Sequence, residues 1–326
     1  MFKKAAFGLC LLILTCTAVW SGTLTPEQRD ARETGIRLYN QYKAISATPF
    51  LETAAQAGDA EAQYYLGEAL RKNNRFMTHE SHKWLEAAAN QGHIYAMIRL
   101  GRSGNDLCAV MGNCPSGSKS PGDWLRHAYR VALPLAEQGD PEAMFLMYKI
   151  TLDTDWRAKA AEAGYALAQY GEAISIKQGR GFYLFGNRKK AVEKWFKGSA
   201  EGGYPLSMQY YQVILAERDD WEGVRYWQYK AAETGHADSI YTLGAYLSHE
   251  PEGAGHKLDL VKGYGLISLL LELDGGGWLL TTVEETLPLV AAKMTPEQIE
   301  QALKFAEEWK ATHPPVSYFP DKLSIY

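Results

Sequence analysis

Cysteine is scarce in this chain. There are four in 326 residues, and two of them, Cys10 and Cys16, lie in the first 21 positions. A disulfide-dense miniprotein is therefore excluded. An excess of one charge is also missing. Lys and Arg number 34 against 38 Asp and Glu, a formal net charge of −4, and without Lys3 and Lys4 the balance falls to −6. A mildly acidic chain argues against nucleic acid as the partner. Long hydrophobic runs are lacking too. The longest, Ala5 to Trp20, holds 16 residues, short of the roughly 20 that a spanning helix needs. Recognised catalytic motifs do not occur. Gly179-x-Gly181 with Gly186 lacks dinucleotide spacing, and no Gly-x-Ser-x-Gly elbow exists. His79-Glu80-Ser81-His82 places its histidines at i, i+3 rather than the i, i+4 of a zinc protease, and reads as a solvated helix start. His249, Glu250, Glu252, His256 and Asp259 crowd one stretch without a fixed ligand spacing, a weak metal signal. No cofactor is expected.

The short apolar run has its own meaning. Lys3 and Lys4 precede it, and Val19-Trp20-Ser21 ends it with modest residues at the −3 and −1 places. Residues 1–21 therefore read as an export signal, with an uncleaved anchor helix as the alternative. Export predicts a periplasmic protein. Lipidation at Cys16 is not favoured, because Ile13-Leu14-Thr15-Cys16 carries Thr where Gly, Ala or Ser normally precedes the modified cysteine. Beyond the signal only Cys108 and Cys114 remain. In an oxidising compartment that even count predicts a disulfide. Two free thiols or half a metal site are the alternatives, although the neighbouring Pro, Gly and Ser are poor ligands.

What the chain has in abundance is a repeat. Six segments align on Gly58, Gly92, Gly139, Gly164, Gly203 and Gly235, ending AAQAG, AANQG, LAEQG, AAEAG, SAEGG and AAETG. Eight residues before these glycines stand Phe50, Trp84, Val131, Trp156, Trp195 and Trp227, and four residues after them Ala62, Ala96, Ala143, Ala168, Ser207 and Ser239. Spacings of 25 to 47 residues indicate stacked supersecondary units. Each glycine closes a helix rich in Ala, Glu, Gln and Lys, because the residue past a helix end must take positive φ cheaply. The small residue four places on lets the next helix approach closely, and the tryptophan is expected to fill the gap between repeats.

This pattern resembles the Sel-one-like repeat (SLR) family, whose tetratricopeptide-like units read roughly W-x-x-x-A-A-x-x-G-[DH]-x-x-A-x-x-x-L-G. Trp84 to Gly101 and Trp227 to Gly244 match it well, and Leu51 to Gly67 matches its later part. The third copy departs with Met147-Tyr148 in place of Leu-Gly, and the fourth carries Gly171 two places early. The resemblance implies an all-α fold, a right-handed α/α solenoid of stacked helix pairs. Six pairs are expected over 50–250, after an N-terminal capping helix in 22–49. An insertion pinned by the disulfide is expected at 101–122, a worn seventh copy and a capping helix at 251–311, and an irregular tail at 312–326. Thr25-Pro26-Glu27-Gln28 and Thr295-Pro296-Glu297-Gln298 both read as capping boxes.

The resemblance further implies a non-enzymatic scaffold that binds another protein. Among exported members, the immunity proteins that neutralise type VI secretion phospholipase effectors are the best specific match. A cell-envelope adaptor acting on polysaccharide or peptidoglycan machinery is the alternative, and an SLR hydrolase a weaker one, because those carry a cysteine pair in nearly every repeat. In helix-pair solenoids the concave groove binds the partner. Places +3, +7 and +10 after each glycine face away from the stack. They hold Tyr65, Glu68, Tyr95, Arg99, Lys149, Tyr210 and Asp238. Tyr65, Tyr95, Arg99, Lys149 and Tyr210 are the candidate partner-binding residues, since Tyr and Arg anchor interfaces.

Overall fold

A computed structural model describes residues 24–102, 117, 119–184 and 186–324. The expected export signal, Cys16, Cys108 and Cys114 lie outside the described residues. Every regular element described is helical, and the architecture is an α/α solenoid. Helix α1 (Pro26–Asn40) comes first. Six helix pairs follow: α2 (Ala44–Gln56) with α3 (Ala60–Asn74), α4 (His79–Asn90) with α5 (Ile94–Gly101), and α6 (Pro121–Glu137) with α7 (Pro141–Thr151). The next three are α8 (Thr154–Glu162) with α9 (Ala166–Lys177), α10 (Asn187–Glu201) with α11 (Pro205–Ala216), and α12 (Trp221–Glu233) with α13 (Ala237–Leu247). Three further helices close the chain: α14 (Leu260–Leu269), α15 (Leu279–Ala291) and α16 (Pro296–Thr312), with α14 packed chiefly on α13 and α16. Residues 22–49 thus hold more than one capping helix, since α2 already starts at Ala44.

All six register glycines take positive φ, between 83° and 98°. In three units the side chain of the residue after the glycine caps the second helix at the N–H of the small residue, while Tyr165, Tyr204 and His236 make no such bond. Ala62 N–H donates to Asp59 Oδ1 at 2.7 Å, Ala143 N–H to Asp140 Oδ1 at 3.0 Å, and Ala96 N–H to His93 Nδ1 at 3.3 Å. All six small residues are buried. Thr25 and Thr295 each form a reciprocal capping box with Gln28 and Gln298.

The tryptophans occupy a different place from the one expected. Trp84, Trp156, Trp195 and Trp227 are half-buried at the edge of the core. The side chains in the tight gap are the leucines beside the aromatic, Leu51 and Leu85, both wholly buried. They meet glycines of the preceding helix: a Cβ on Gly35 would stand 2.7 Å from Leu51 Cγ, and one on Gly67 2.6 Å from Leu85 Cγ. Three of the four indoles, at the edge of the stack, receive a lysine, while Trp227 has Tyr211 and Tyr226 as ring neighbours. Lys83, Lys159 and Lys194 Nζ stand 5.2, 4.4 and 4.5 Å from the rings of Trp84, Trp156 and Trp195.

The two kinds of glycine predict different penalties. Gly58→Ala meets no atom within 4 Å and suffers only backbone strain at φ +94°. A cost of about 1 kcal/mol is expected. Gly67→Ala presses on packed Leu85 and is expected to cost about 1–3 kcal/mol. Urea unfolding of the two variants checks this. Equal midpoints for Gly67→Ala and wild type would remove the close-approach argument.

Candidate functional site

The +3, +7 and +10 places on α3, α5 and α7 form one wall, but the wall is occupied. The C-terminal segment, expected to be an irregular tail, runs across it as an ordered strap. Pro314 and Pro315 stop α16 after its cap at His313. Residues 316–318 then bind backbone to backbone on both sides. Ser317 N–H donates to Gly235 O, and Ala237 N–H to Ser317 O, each at 2.9 Å. Tyr318 N–H donates to Asn40 O at 3.0 Å, and Gln41 Nε2 to Val316 O at 3.1 Å. Val316 and Tyr318 are buried. This segment therefore joins the end of α1 to the α12–α13 turn. The seam continues beside it. Gln41 Nε2 donates to Glu272 Oε1 at 2.9 Å, and Trp278 and Tyr318 pack at 4.8 Å between ring centroids, with Tyr42 against both. Burial pushes the Tyr318 phenol up to about 12. The first and last units of the solenoid thus touch.

Beyond Pro320 the strap lies on the predicted residues themselves. Glu68 is wholly buried, and Arg99 grips its carboxylate in a fork, Nε and Nη2 at 2.7 and 2.8 Å. Arg71 adds two bonds at 3.3 Å. Arg99 Nη2 donates onward to Ser324 O at 2.8 Å and Lys322 O at 3.3 Å, and Tyr64 Oη donates to Lys322 O. Burial opposes the Arg99 charge, yet the Glu68 carboxylate outweighs it and holds the guanidinium above its ordinary pKa. Lys322 Nζ lies 4.9 Å from the Tyr95 ring and 5.8 Å from the Tyr65 ring, and Asp321 pairs with Lys149 at 3.4 Å. Four of the five candidates, Tyr65, Tyr95, Arg99 and Lys149, are therefore brought together, and each already holds a residue of this chain.

Tyr210 is elsewhere. It stacks on Phe196 at 4.6 Å, with Lys177 Nζ 4.6 Å from its ring. Asp238 lies at the seam, where burial raises its pKa.

Sequence reasoning missed the place directly after each glycine. His93 stacks on Tyr64 at 4.6 Å, and His236 sits buried beside Ser317 and Phe319. Tyr165 and Tyr204 line a cavity of ≈ 490 Å³ between the strap and the wall, together with Tyr95, Phe145 and Phe319. Tyr95 Oη donates to Glu142 Oε1 there at 2.6 Å. Of the residues of the weak metal signal, His249 Nε2 meets the main-chain oxygen of His256 at 3.0 Å, and three others bond outside the set. His256 Nε2 meets Gln228 Oε1 at 2.6 Å, Glu250 pairs with Lys293 at 2.5 Å, and Asp259 caps α14. Among the described residues no group of three or more His, Cys, Asp or Glu could hold a metal, and no helix is long and apolar enough to cross a membrane.

Comparison with known proteins gives fold-level likeness only. No family model matches the sequence, and no curated protein matches it. The structure of c5321, a protective antigen of uropathogenic Escherichia coli strains displaying an SLR fold, aligns at 21% identity and a TM-score of 0.46, covering 88% of this chain and 62% of that one. This chain thus spans less than two thirds of that neighbour. A Sel1 repeat protein from Oxalobacter formigenes aligns at 22% identity and a TM-score of 0.37, covering 69% of this chain and 93% of that one. The assembly chaperone of RpL4, Acl4, aligns at 12% and 0.29, over 87% and 95%. The fold assignment rests on the helices themselves.

Two outcomes follow from the wall. Arg99→Ala strips the fork from a buried carboxylate and leaves Arg71 as its main partner, so a loss of about 2–4 kcal/mol is expected. Urea unfolding measures it, and an unchanged midpoint would remove the central role given to Glu68. The second outcome concerns acid. Burial lowers both His93 and His236 from 6.5 to about 4. Between pH 6.5 and 4 the unfolded chain binds protons that the fold refuses, so stability falls as pH falls, by up to about 1.4 kcal/mol per pH unit for each histidine. His236→Asn should flatten that slope between pH 6.5 and 5, and parallel slopes for the two proteins would contradict it.

Proposed function

We propose that the protein is an exported, non-enzymatic repeat scaffold that binds another protein, and that an extended segment of the partner takes the wall now holding Pro320 to Ser324. One observation carries this reading: Arg99 and Tyr64 hold the strap by its main-chain carbonyls, those of Lys322 and Ser324. Carbonyls are common to all sequences, so the same donors suit a foreign peptide in the same path. Tyr65 and Tyr95 supply a cation-binding face for a basic side chain such as that of Lys322. Val316 to Tyr318 stay in place as the closing seam, and only the terminal part exchanges. The chain's own tail is then a tethered competitor that lowers the apparent affinity of the partner.

The specific reading remains a periplasmic immunity protein that neutralises a type VI secretion phospholipase effector. It draws on the export signal read from residues 1–21, the SLR resemblance of the repeats and the lack of a catalytic motif. A cell-envelope adaptor for polysaccharide or peptidoglycan machinery shares the first two supports.

Two experiments test the two levels. A synthetic peptide of residues 319–326 should bind a chain ending at Tyr318, and should bind the full chain about tenfold more weakly or worse. Absence of binding to the shortened chain would sink the groove reading. For the specific role, a phospholipase effector from a neighbouring gene is directed to the periplasm with and without this protein. Growth should be restored only with it, and no restoration excludes the immunity role.

A further inference from the structure

The stretch 177–197 stands apart from the rest of the molecule in charge. It carries seven Lys and Arg against one acidic residue, Glu193, in a chain whose overall balance is negative. That glutamate is already committed to Arg218, with Arg218 Nη1 donating to Glu193 Oε1 at 2.7 Å. Glu172, the carboxylate nearest the loop, is buried and held by Arg157 at 2.7 Å, with Arg180 at 3.8 Å. Lys197 pairs with Glu201 at 3.8 Å, so among the exposed cations it is chiefly Lys177, Lys189, Lys190 and Lys194 that face solvent without a matching number of anions.

Within this stretch the loop between α9 and α10 holds two apolar side chains outward. Phe182 is 90% exposed and Leu184 65% exposed. The loop is braced, so this exposure is not the result of slack chain. The Arg188 guanidinium donates to two of its carbonyls, Arg180 at 3.0 Å and Gly181 at 2.7 Å, and to Ile176 O of α9 at 2.7 Å, and packs 5.0 Å from the centre of the Tyr183 ring. Scattered exposed apolar residues are ordinary on protein surfaces. Two on one braced tip, ringed by basic residues, form a directed feature. Along α10 the cations continue as Lys190, Lys194 and Lys197, spaced i, i+4, i+7 and so on one face. Beside the loop opens a cleft of ≈ 280 Å³. Its floor is apolar, with Val192, Phe196 and Ile214, and its rim holds Lys177, Lys189 and Arg218 together with one carboxylate, Glu217.

We infer that this face docks on the surface of an anionic phospholipid bilayer, with Phe182 and Leu184 entering the headgroup boundary and the surrounding cations meeting lipid phosphates. Apolar tips flanked by Lys and Arg are the arrangement that lipid interfaces reward, through apolar burial plus attraction to negative headgroups. The outward projection of Phe182 and Leu184 favours a deformable surface over a rigid protein partner, which would need a matching socket. The cleft suits an anionic amphiphile drawn from that surface, acyl chain on the floor and phosphate at the rim. The inference is independent of the peptide groove, whose residues lie on α3, α5 and α7.

The test is vesicle co-sedimentation of the full chain with phosphatidylglycerol-containing and pure phosphatidylcholine vesicles, over a range of salt. Binding should be several-fold stronger to the anionic vesicles and weaken with salt. Lys189→Glu with Lys190→Glu should weaken it by about fivefold or more for each cation removed. Phe182→Ser with Leu184→Ser should weaken binding without abolishing its salt dependence. Hydrogen exchange supplies a local readout in the unmodified protein: amides of residues 179–184 should gain protection on anionic vesicles only. Equal binding to both vesicle types with no protection in the loop, or binding that neither double variant alters, overturns the inference. So does binding of polyglutamate, lost in Lys189→Glu/Lys190→Glu, with no response to vesicles; that result would assign the face to an acidic protein.

Discussion

Close approach of one helix to the next, across a side chain no larger than Ala or Ser, is the constraint on which the molecule depends. A glycine at positive φ ends the first helix of each pair, in three pairs the side chain of the following residue caps the second at the N–H of the small residue, and in all six that small residue is buried. Any larger side chain there would hold the helices apart, and the stacking between pairs would lose its register. A second close approach operates between pairs, where Leu51 and Leu85 press on Gly35 and Gly67. Together these contacts set the curvature that brings α1 round to the Glu272 and Trp278 region.

Much of this was legible in the residues. A glycine preceded by Ala-Ala and followed four places on by Ala has few structural meanings, and helix periodicity put Tyr65, Glu68, Tyr95, Arg99 and Lys149 together, though it also assigned to that face Tyr210 and Asp238, which lie elsewhere. The tryptophans were harder. Spacing shows that they recur, but cannot say whether the indole or the neighbouring leucine enters the gap. In the first two units the structure places a leucine there, against Gly35 and Gly67, while in later units the corresponding residue is Ala132, Arg157, Phe196 or Gln228. Arg99 was read as an anchor with its charge available. Its partner Glu68 stood in the same set, 31 positions earlier, and nothing in a linear spacing reveals that two +7 and +10 side chains on successive units pair.

The strap was illegible for a different reason. Pro314 and Pro315 announce the end of a helix, not the path beyond it. Its bonds at Ser317 and Tyr318 run from backbone to backbone, and main-chain pairing leaves almost no mark on side-chain choice. The contact of Tyr64 with Lys322 spans 258 positions, and that of Arg99 with Ser324 spans 225. His93 and His236 follow the glycine in their repeats, where Asp stands in two others. Asp there reads simply as a cap, which concealed that this place borders the groove.

Stacked-hairpin proteins ordinarily behave as one-dimensional arrays, in which a unit can be gained or lost at little cost because each touches only its neighbours. Here the ends are tied: residues 316–318 bridge the α12–α13 turn and α1, and the residues after Pro320 reach α3, α5 and α7. Copy number is thereby locked. Deleting or duplicating one unit would rotate and shift everything after it, so that Ser317 and Tyr318 could no longer meet Gly235 and Asn40 at once. Among its relatives such a chain should vary in its loops and its surface while keeping its count of units, as a wheel keeps its number of spokes.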